Sequence, residues 1–297
     1  MRPMNKLTLI LPIFLMLAAC SKLAFNALNA PTHFADVTRQ KDIVFDSQHN
    51  LKLDIYRDEQ FSDDEGLPVI VFFYGGRWQH GEKSEYQFAG NKFAEKGYVA
   101  VLPNYRKYPD VQFPDFVYDG ARAVAWVKQN IAKHGGDPQK IYLAGHSAGA
   151  HIVALLTTDE RYLTSVEVDP HQDIRACISI SGPYEFEPQE QPYKKIFAQD
   201  KSNDYYNIQA INFIEGNEVP MLLLHGKKDE IVKANQSFFL QEKIQSKGGE
   251  AKVISYDDID HIQIMTELSW VGQDKASVLE DIDQFIQDME NNKPISN

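Results

Sequence analysis

Apolar residues gather along this chain in two alternating patterns. Short, nearly continuous runs recur at 67–74, 98–102, 141–144, 174–180, 219–224 and 251–256. Runs of that length, closed by glycine, proline or acidic turns, predict strands buried on both faces of a parallel sheet. Between them lie stripes at helical spacing: Phe116, Val117, Ala121, Val124, Ala125 and Ile131, then Ala148, Ile152, Leu155 and Leu156, and finally Val278, Leu279, Ile282, Phe285 and Ile286. Further helices are expected at about 86–96 and around Phe238, Phe239 and Ile244, and the last at 275–289. The alternation of 43–45 and 51–56 predicts a hairpin at the sheet edge. Strand and helix in regular succession describe one α/β domain over 41–291, with a mostly parallel central sheet flanked by helices.

One segment breaks this rhythm. Residues 184–218 hold no apolar run but scatter Phe186, Tyr193, Phe197, Tyr205, Tyr206, Ile208, Ile211 and Phe213 among charges. An excursion of that length predicts either a small cap-like insertion shaping a pocket or a surface excursion packed on itself.

Composition narrows the function. With 297 residues, 43% hydrophobic and 24% charged, the chain supports one sizeable core, and a formal net charge of −12 disfavours nucleic acid and anionic lipid surfaces as partners. Arg2 and Lys6 precede a short apolar stretch, so residues 1–19 read as a signal peptide. Its end, Leu17-Ala18-Ala19-Cys20, resembles a bacterial lipobox. That resemblance implies lipidation of Cys20 by acyl chains such as palmitate, with Ser21 matching outer-membrane sorting. It places the protein in the cell envelope, on the outer membrane facing the periplasm or cell surface. An ordinary cleaved signal peptide or an uncleaved anchor are the alternatives. Residues 20–40 are expected to be a tether, 62–66 a solvated acidic turn, and 292–297 a frayed tail. Cys177, inside an apolar run, reads as a core thiol, so no disulfide scaffold is indicated.

The candidate chemistry centres on Gly145-His146-Ser147-Ala148-Gly149, which follows an apolar run and opens a helical stripe. Strand, serine between small residues, then helix is the nucleophile-elbow pattern G-x-S-x-G. The turn tolerates only small neighbours and presents Ser147 at the top of the sheet, with the Ala148 N–H beside the place where charge develops on an attacked carbonyl. Tyr74-Gly75-Gly76-Arg77-Trp78 follows a buried run, so its backbone can approach a ligand closely. The N–H groups of Gly76 and Arg77, with that of Ala148, are the expected oxyanion hole, and Gly75, Trp78 and Tyr184 the expected substrate contacts. Pro103-Asn104-Tyr105-Arg106 reads as a bend that buttresses this loop. Asp229, just past a strand, is the expected acid, with Asp257, Asp258 and Asp260 as competitors. Among nine histidines, His261 in the loop after the last strand is the expected base. His225 reads as structural, His134 as a helix end, and His146 as facing away from the base position.

Ser147, Asp229 and His261 fall in the order serine, acid, histidine, which is that of the α/β-hydrolases. With the Asn104-Tyr105-Arg106, Gly135-Gly136-Asp137-Pro138 and His225-Gly226 blocks, the chain resembles the α/β-hydrolase superfamily. It is nearest to the carboxylesterase and hormone-sensitive-lipase-like group with a His-Gly-Gly-x-Trp motif, which includes kynurenine-formamidase-like and feruloyl or acetyl esterase-like enzymes. Tyr74 stands where that motif has histidine, which implies altered bracing of the loop. The resemblance implies hydrolysis of a small-molecule ester through an acyl-serine, without metal or organic cofactor. Amidase or formamidase activity on an activated amide is one alternative. A lipid-anchored binding protein on a hydrolase scaffold is another.

Overall fold

The structure, a computed structural model, describes residues 25, 27–30, 36–61, 66–198, 203–272 and 275–293. The signal-peptide segment with Cys20, residues 62–65 of the acidic turn and the tail residues 294–297 lie outside them. Among the described residues eight strands form one sheet: β1 (Val37–Asp46), β2 (Leu51–Asp58), β3 (Leu67–Phe73), β4 (Val99–Pro103), β5 (Gly136–His146), β6 (Ile174–Ile180), β7 (Met221–Gly226) and β8 (Ala251–Tyr256). Their order across the sheet is β1-β2-β4-β3-β5-β6-β7-β8. The β1–β2 and β2–β4 pairings are antiparallel and all the others parallel. The apolar runs account for this arrangement: Val69, Ile70, Val71, Phe72 and Phe73 of β3 are all fully buried, as a central strand covered on both faces requires.

The longer helices are α1 (Gln87–Glu95), α2 (Asp115–Asn130), α3 (Ala148–Thr158), α4 (Asn235–Ser246) and α5 (Val278–Glu290). Every residue of α3 is buried, because its sequence is apolar on all sides and it lies between the sheet and the covering segments. A 3-10 turn, Ile131–His134, extends α2 and closes on Gly135 in the left-handed conformation (φ 82°), which places His134 at a helix end. Among the described residues no helix is long and apolar enough to cross a membrane.

The structure departs from the sequence reading at the chain start. β1 begins at Val37, inside the stretch expected to be a tether, since charged residues mask its alternation. Earlier still, Phe25 packs on Tyr86 at 5.3 Å between ring centroids, and the Asn29 amide donates to the Ser84 and Glu85 carbonyls while accepting from the Phe88 N–H. A remote asparagine thus satisfies backbone groups at the start of α1 that a helix leaves unpaired. α5 starts at Val278, with the apolar stripe itself, three residues later than the expected 275.

A buried ion cluster fastens the hairpin to the sheet. Asp54 on β2 is fully buried and takes Lys83 Nζ at 2.7 Å and Arg39 at 2.5 Å, and Lys83 reaches Asp42 at 2.9 Å. Removing Asp54 leaves Arg39 without its carboxylate and the buried Lys83 with the exposed Asp42 alone. Asp54→Ala is therefore expected to cost about 3–5 kcal/mol of unfolding free energy in a urea titration, with Asp54→Asn costing less. Equal stability of the alanine variant and the wild type would show that Lys83 and Arg39 need no counter-charge.

Candidate active site

The elbow is built by close backbone approach. Ser147 joins β5 to α3 with φ 54° and ψ −115°, a conformation costing about 1–3 kcal/mol that packing must hold. A Cβ on Gly149 would lie 2.0 Å from the Phe73 carbonyl oxygen, and one on Gly145 would lie 2.5 Å from the Gly149 carbonyl. Only hydrogen fits at either position, so the glycines bring α3 against β3 and force the serine outward. The Ser147 N–H is used by the Ile180 carbonyl at 2.9 Å, which pins the turn to β6.

Loops after β7 and β8 complete the group. His261 Nε2 lies 2.9 Å from Ser147 Oγ and His261 Nδ1 2.7 Å from Asp229 Oδ2. Asp229 Oδ1 accepts from the Ile231 and Val232 N–H groups at 2.9 and 2.8 Å. Facing an acceptor-only carboxylate, Nδ1 carries the proton, which leaves Nε2 to accept from the serine hydroxyl. Burial works against the Asp229 charge, but hydrogen bonds from His225, His261 and the Val232 N–H, with the attraction of His261, hold its carboxyl well below the usual range. Ser147, Asp229 and His261 thus come together as expected. The competing acids do not: Asp257 and Asp258 are exposed against Lys227 and Lys228, and Asp260 accepts from the Ile262 and Gln263 N–H groups.

The glycine loop lies opposite. Gly76, Arg77 and Trp78 all have positive φ. The N–H groups of Gly76 and Arg77 enter no turn or ladder hydrogen bond among the described residues, and that of Ala148, first in α3, has no intrahelical acceptor. Tyr74 does brace the loop. Its hydroxyl donates to Asn104 Oδ1 at 3.0 Å and accepts from Lys107 Nζ at 3.1 Å, and its ring stacks between Tyr86 and Tyr105. Tyr105 donates to the Tyr74 carbonyl at 2.8 Å, and Arg106 grips the buried Asp119 on α2. The Asn104-Tyr105-Arg106 block buttresses the loop, as its sequence suggested.

A cavity of about 550 Å³ opens at Ser147 and is lined by Arg77, Trp78, Pro183, Phe186, Glu187, Glu190, Tyr193, Ile231, Val232 and Gln236, among others. Trp78 is a wall residue as expected, packed against Phe186, Phe197, Tyr193 and His151. Tyr184 is not. It is fully buried with its hydroxyl on Ser179 Oγ at 2.7 Å, so it belongs to the core, and Pro183 and Phe186 beside it form the wall. Gly75 also lies off the cavity wall, where an added Cβ would meet His146 and Ser147. Residues 186–193 of the insertion shape the cavity, while Phe197 and Ile208 pack into the core. A wider groove, of about 920 Å³, is lined mainly by charged side chains of α1 and residues 275–280 and does not include Ser147, so size alone does not locate the chemistry. Burial pushes the Cys177 thiol up to about 12, as suits a core residue. Among the described residues no cluster of three histidine, cysteine or acidic side chains forms a metal site.

A serine on the elbow of this sheet, met by a histidine and an acid from the loops after β8 and β7, defines the α/β-hydrolase fold. The BD-FAE family model matches residues 53–244, and the chain belongs to that family. It is 27% identical over 265 residues to isoprenylcysteine alpha-carbonyl methylesterase of Arabidopsis thaliana, covering 80% of this chain and 60% of the relative. It is 28% identical to esterase LipQ of Mycobacterium tuberculosis, covering 70% and 52%. The chain therefore spans between half and three-fifths of the length of these curated relatives. Among solved structures, a truncated carbohydrate esterase from gut microbiota superposes with a TM-score of 0.74 at 19% identity, covering 86% of this chain and 96% of that one. Apo Thermogutta terrifontis esterase 2 gives 0.70 at 24% identity, covering 89% and 97%.

Two further histidines set an acid limit on stability. Burial lowers His146 to about 3 and His151 to about 4, from an ordinary value of 6.5. Each folds neutral, with Nε2–H on the carbonyl of His261 and of Ile208 respectively, whereas the unfolded chain protonates both below 6.5. Their contribution to stability is complete above the unfolded value and is lost as pH falls toward the folded values, at about 1.4 kcal/mol per pH unit for each. His151→Gln keeps a donor for Ile208 and removes the proton site. Urea titrations from pH 6.5 to 4 are expected to show a pH slope lower by one proton in that variant. An unchanged slope would mean that His151 is already charged in the folded protein.

Proposed function

We propose that this protein is a serine carboxylesterase that acts through an acyl-enzyme. The observation that carries the reading is the unbroken Ser147, His261, Asp229 hydrogen-bond line at a cavity that Ser147 and Arg77 of the glycine loop both line. Ser147 attacks the ester carbonyl, and His261 takes its proton and returns it to the leaving alcohol. Asp229 keeps the imidazole in the tautomer that serves both steps, and the N–H groups of Gly76, Arg77 and Ala148 take up the charge on oxygen. Water then repeats the sequence on the acyl-serine. The wall of Trp78, Phe186, Tyr193 and Val232 suits a neutral or modestly apolar acyl group. The methylesterase and esterase names of the relatives agree with this chemistry.

We also propose that Cys20 carries a lipid anchor, so that the enzyme works at the outer membrane in the cell envelope. The lipobox-like residues 17–20 support this. Metabolic labelling with a palmitate analogue is expected to mark the wild type and not Cys20→Ser, and equal labelling of both would remove the anchor from Cys20.

The esterase reading is tested with p-nitrophenyl esters of rising acyl length, assayed with wild type and Ser147→Ala, together with fluorophosphonate labelling. Turnover and labelling are expected in the wild type alone. Loss of Ser147 is expected to lower kcat by about 10⁴-fold or more. A wild type that neither hydrolyses any ester nor takes the probe would move the weight to a binding protein on a hydrolase scaffold.

A further inference from the structure

We propose that His225 is a positioning residue of this site, holding Asp229 through a buried chain that runs from α4 to the acid. The inference rests on the esterase reading and adds a member to its machinery. His225 is the last residue but one of β7 and is fully buried, as is Ser237 on α4. Its Nδ1 lies 2.8 Å from Ser237 Oγ, and its Nε2 lies 2.9 Å from the Val232 carbonyl and 3.3 Å from Asp229 Oδ2. A carbonyl only accepts, so Nε2 carries a hydrogen, and Nδ1 pairs with the serine hydroxyl, which fixes the ring orientation from both ends.

The Nε2–H is given to the Val232 carbonyl, and the same nitrogen lies in longer electrostatic contact with Asp229 Oδ2, the oxygen that accepts from His261 Nδ1. Oδ2 has both imidazole nitrogens against it, while the Ile231 and Val232 N–H groups hold Oδ1 and the Val232 carbonyl ties the His225 ring to that same turn. These contacts together keep the carboxylate turned toward His261. The sharing also moderates the acid: with part of its charge directed to His225, it stabilises the His261 imidazolium less than an unshared carboxylate would. The neighbour of Ser237 on α4, Gln236, accepts from the Tyr184 and Glu185 N–H groups, so one helix secures both the acid and the start of the insertion.

The other groups facing the pair do not supply this hold. The neutral His146 ring lies 4.8 Å from that of His261 and bonds to its carbonyl. On the open side, Lys227, Lys228, Glu230, Lys233, Asp258 and Asp260 line a cavity of about 770 Å³ that Asp229 and His261 also border; Lys228 is paired with Asp258 and Lys227 with Asp257.

The test compares wild type, His225→Leu, His225→Gln and Ser237→Ala in full-length protein on a short p-nitrophenyl ester. It records kcat and KM, the pH profile of kcat/KM, the melting temperature, and the low-field proton resonance of His261 Nδ1–H. For His225→Leu, kcat is expected to fall about 10- to 100-fold with KM little changed. The acid limb of its profile should move to higher pH, since Oδ2 then acts on His261 alone, and the low-field proton should shift. Glutamine supplies an amide donor at the Nε2 position and is expected to restore most of kcat, and Ser237→Ala should fall between. Should the leucine variant fail to fold, Ser237→Ala and His225→Gln carry the same readouts. An unchanged kcat, or a loss that tracks melting temperature without movement of the limb or of the resonance, would overturn the inference alone. A wild type without turnover or fluorophosphonate labelling would overturn the esterase reading, and the inference with it.

Discussion

The site depends on one steric condition: α3 must begin almost in contact with the backbone of β3. Gly149 lies where any side chain would strike the Phe73 carbonyl, and Gly145 lies where one would strike Gly149. That approach bends the chain at Ser147 into a conformation that an L-residue does not adopt unforced, and it sets the start of the helix beside the glycine loop. Strain at the serine is sustained by the fully buried strands beneath it. The hydrophobic core and the geometry of the site are therefore two aspects of one packing arrangement, linked by the Ser147 N–H on β6 and the Tyr105 hydroxyl on the Tyr74 carbonyl.

Much of this was legible in the sequence, because the features that specify it are local. Apolar runs located the strands, the small residues around Ser147 located the elbow, and the turns after the last two strands located Asp229 and His261. The rest depended on side-chain direction, which a linear pattern does not contain. Tyr184 follows a strand and precedes an aromatic-rich insertion, yet its ring turns inward to Ser179 and leaves Pro183 and Phe186 to form the wall. His225 read as a structural residue at a strand end, and only the folded loop sets its Nε2 against the acid. The choice among four aspartates came down to geometry, since two of them reach solvent lysines. The start of the domain was obscured for a different reason: Phe25 and Asn29 are isolated contacts in a polar stretch, without a period to reveal them.

Tyr74 shows how a departure from a family motif can still brace the same loop by other means. The position must hold a loop whose peptides have positive φ, and a histidine is one way of doing so. Here a tyrosine hydroxyl does it, shared between Asn104 and Lys107, with rings stacked on both faces. Burial raises the Tyr74 hydroxyl well above its usual range, so this brace stays neutral and does not titrate. Lys107, lowered chiefly by burial, completes the network with its nitrogen, which lies over the Tyr74 and Tyr105 rings at 5.4 and 5.5 Å from their centroids.

The aromatic cluster around Trp78 has a consequence for how such an enzyme can change. Trp78 belongs to the glycine loop, but the rings that hold it, Phe186, Tyr193 and Phe197, belong to the insertion, and His151 belongs to the elbow helix. The side chains that set the size of the cavity are thus the ones that fix the backbone donors. In directed evolution toward bulkier esters, trimming the wall would loosen those donors at the same time, and breadth of substrate would trade against speed. Variants that escape the trade-off would have to gain room from the insertion at Glu187, Pro188 and Glu190, which line the cavity and add no ring to the tryptophan cluster.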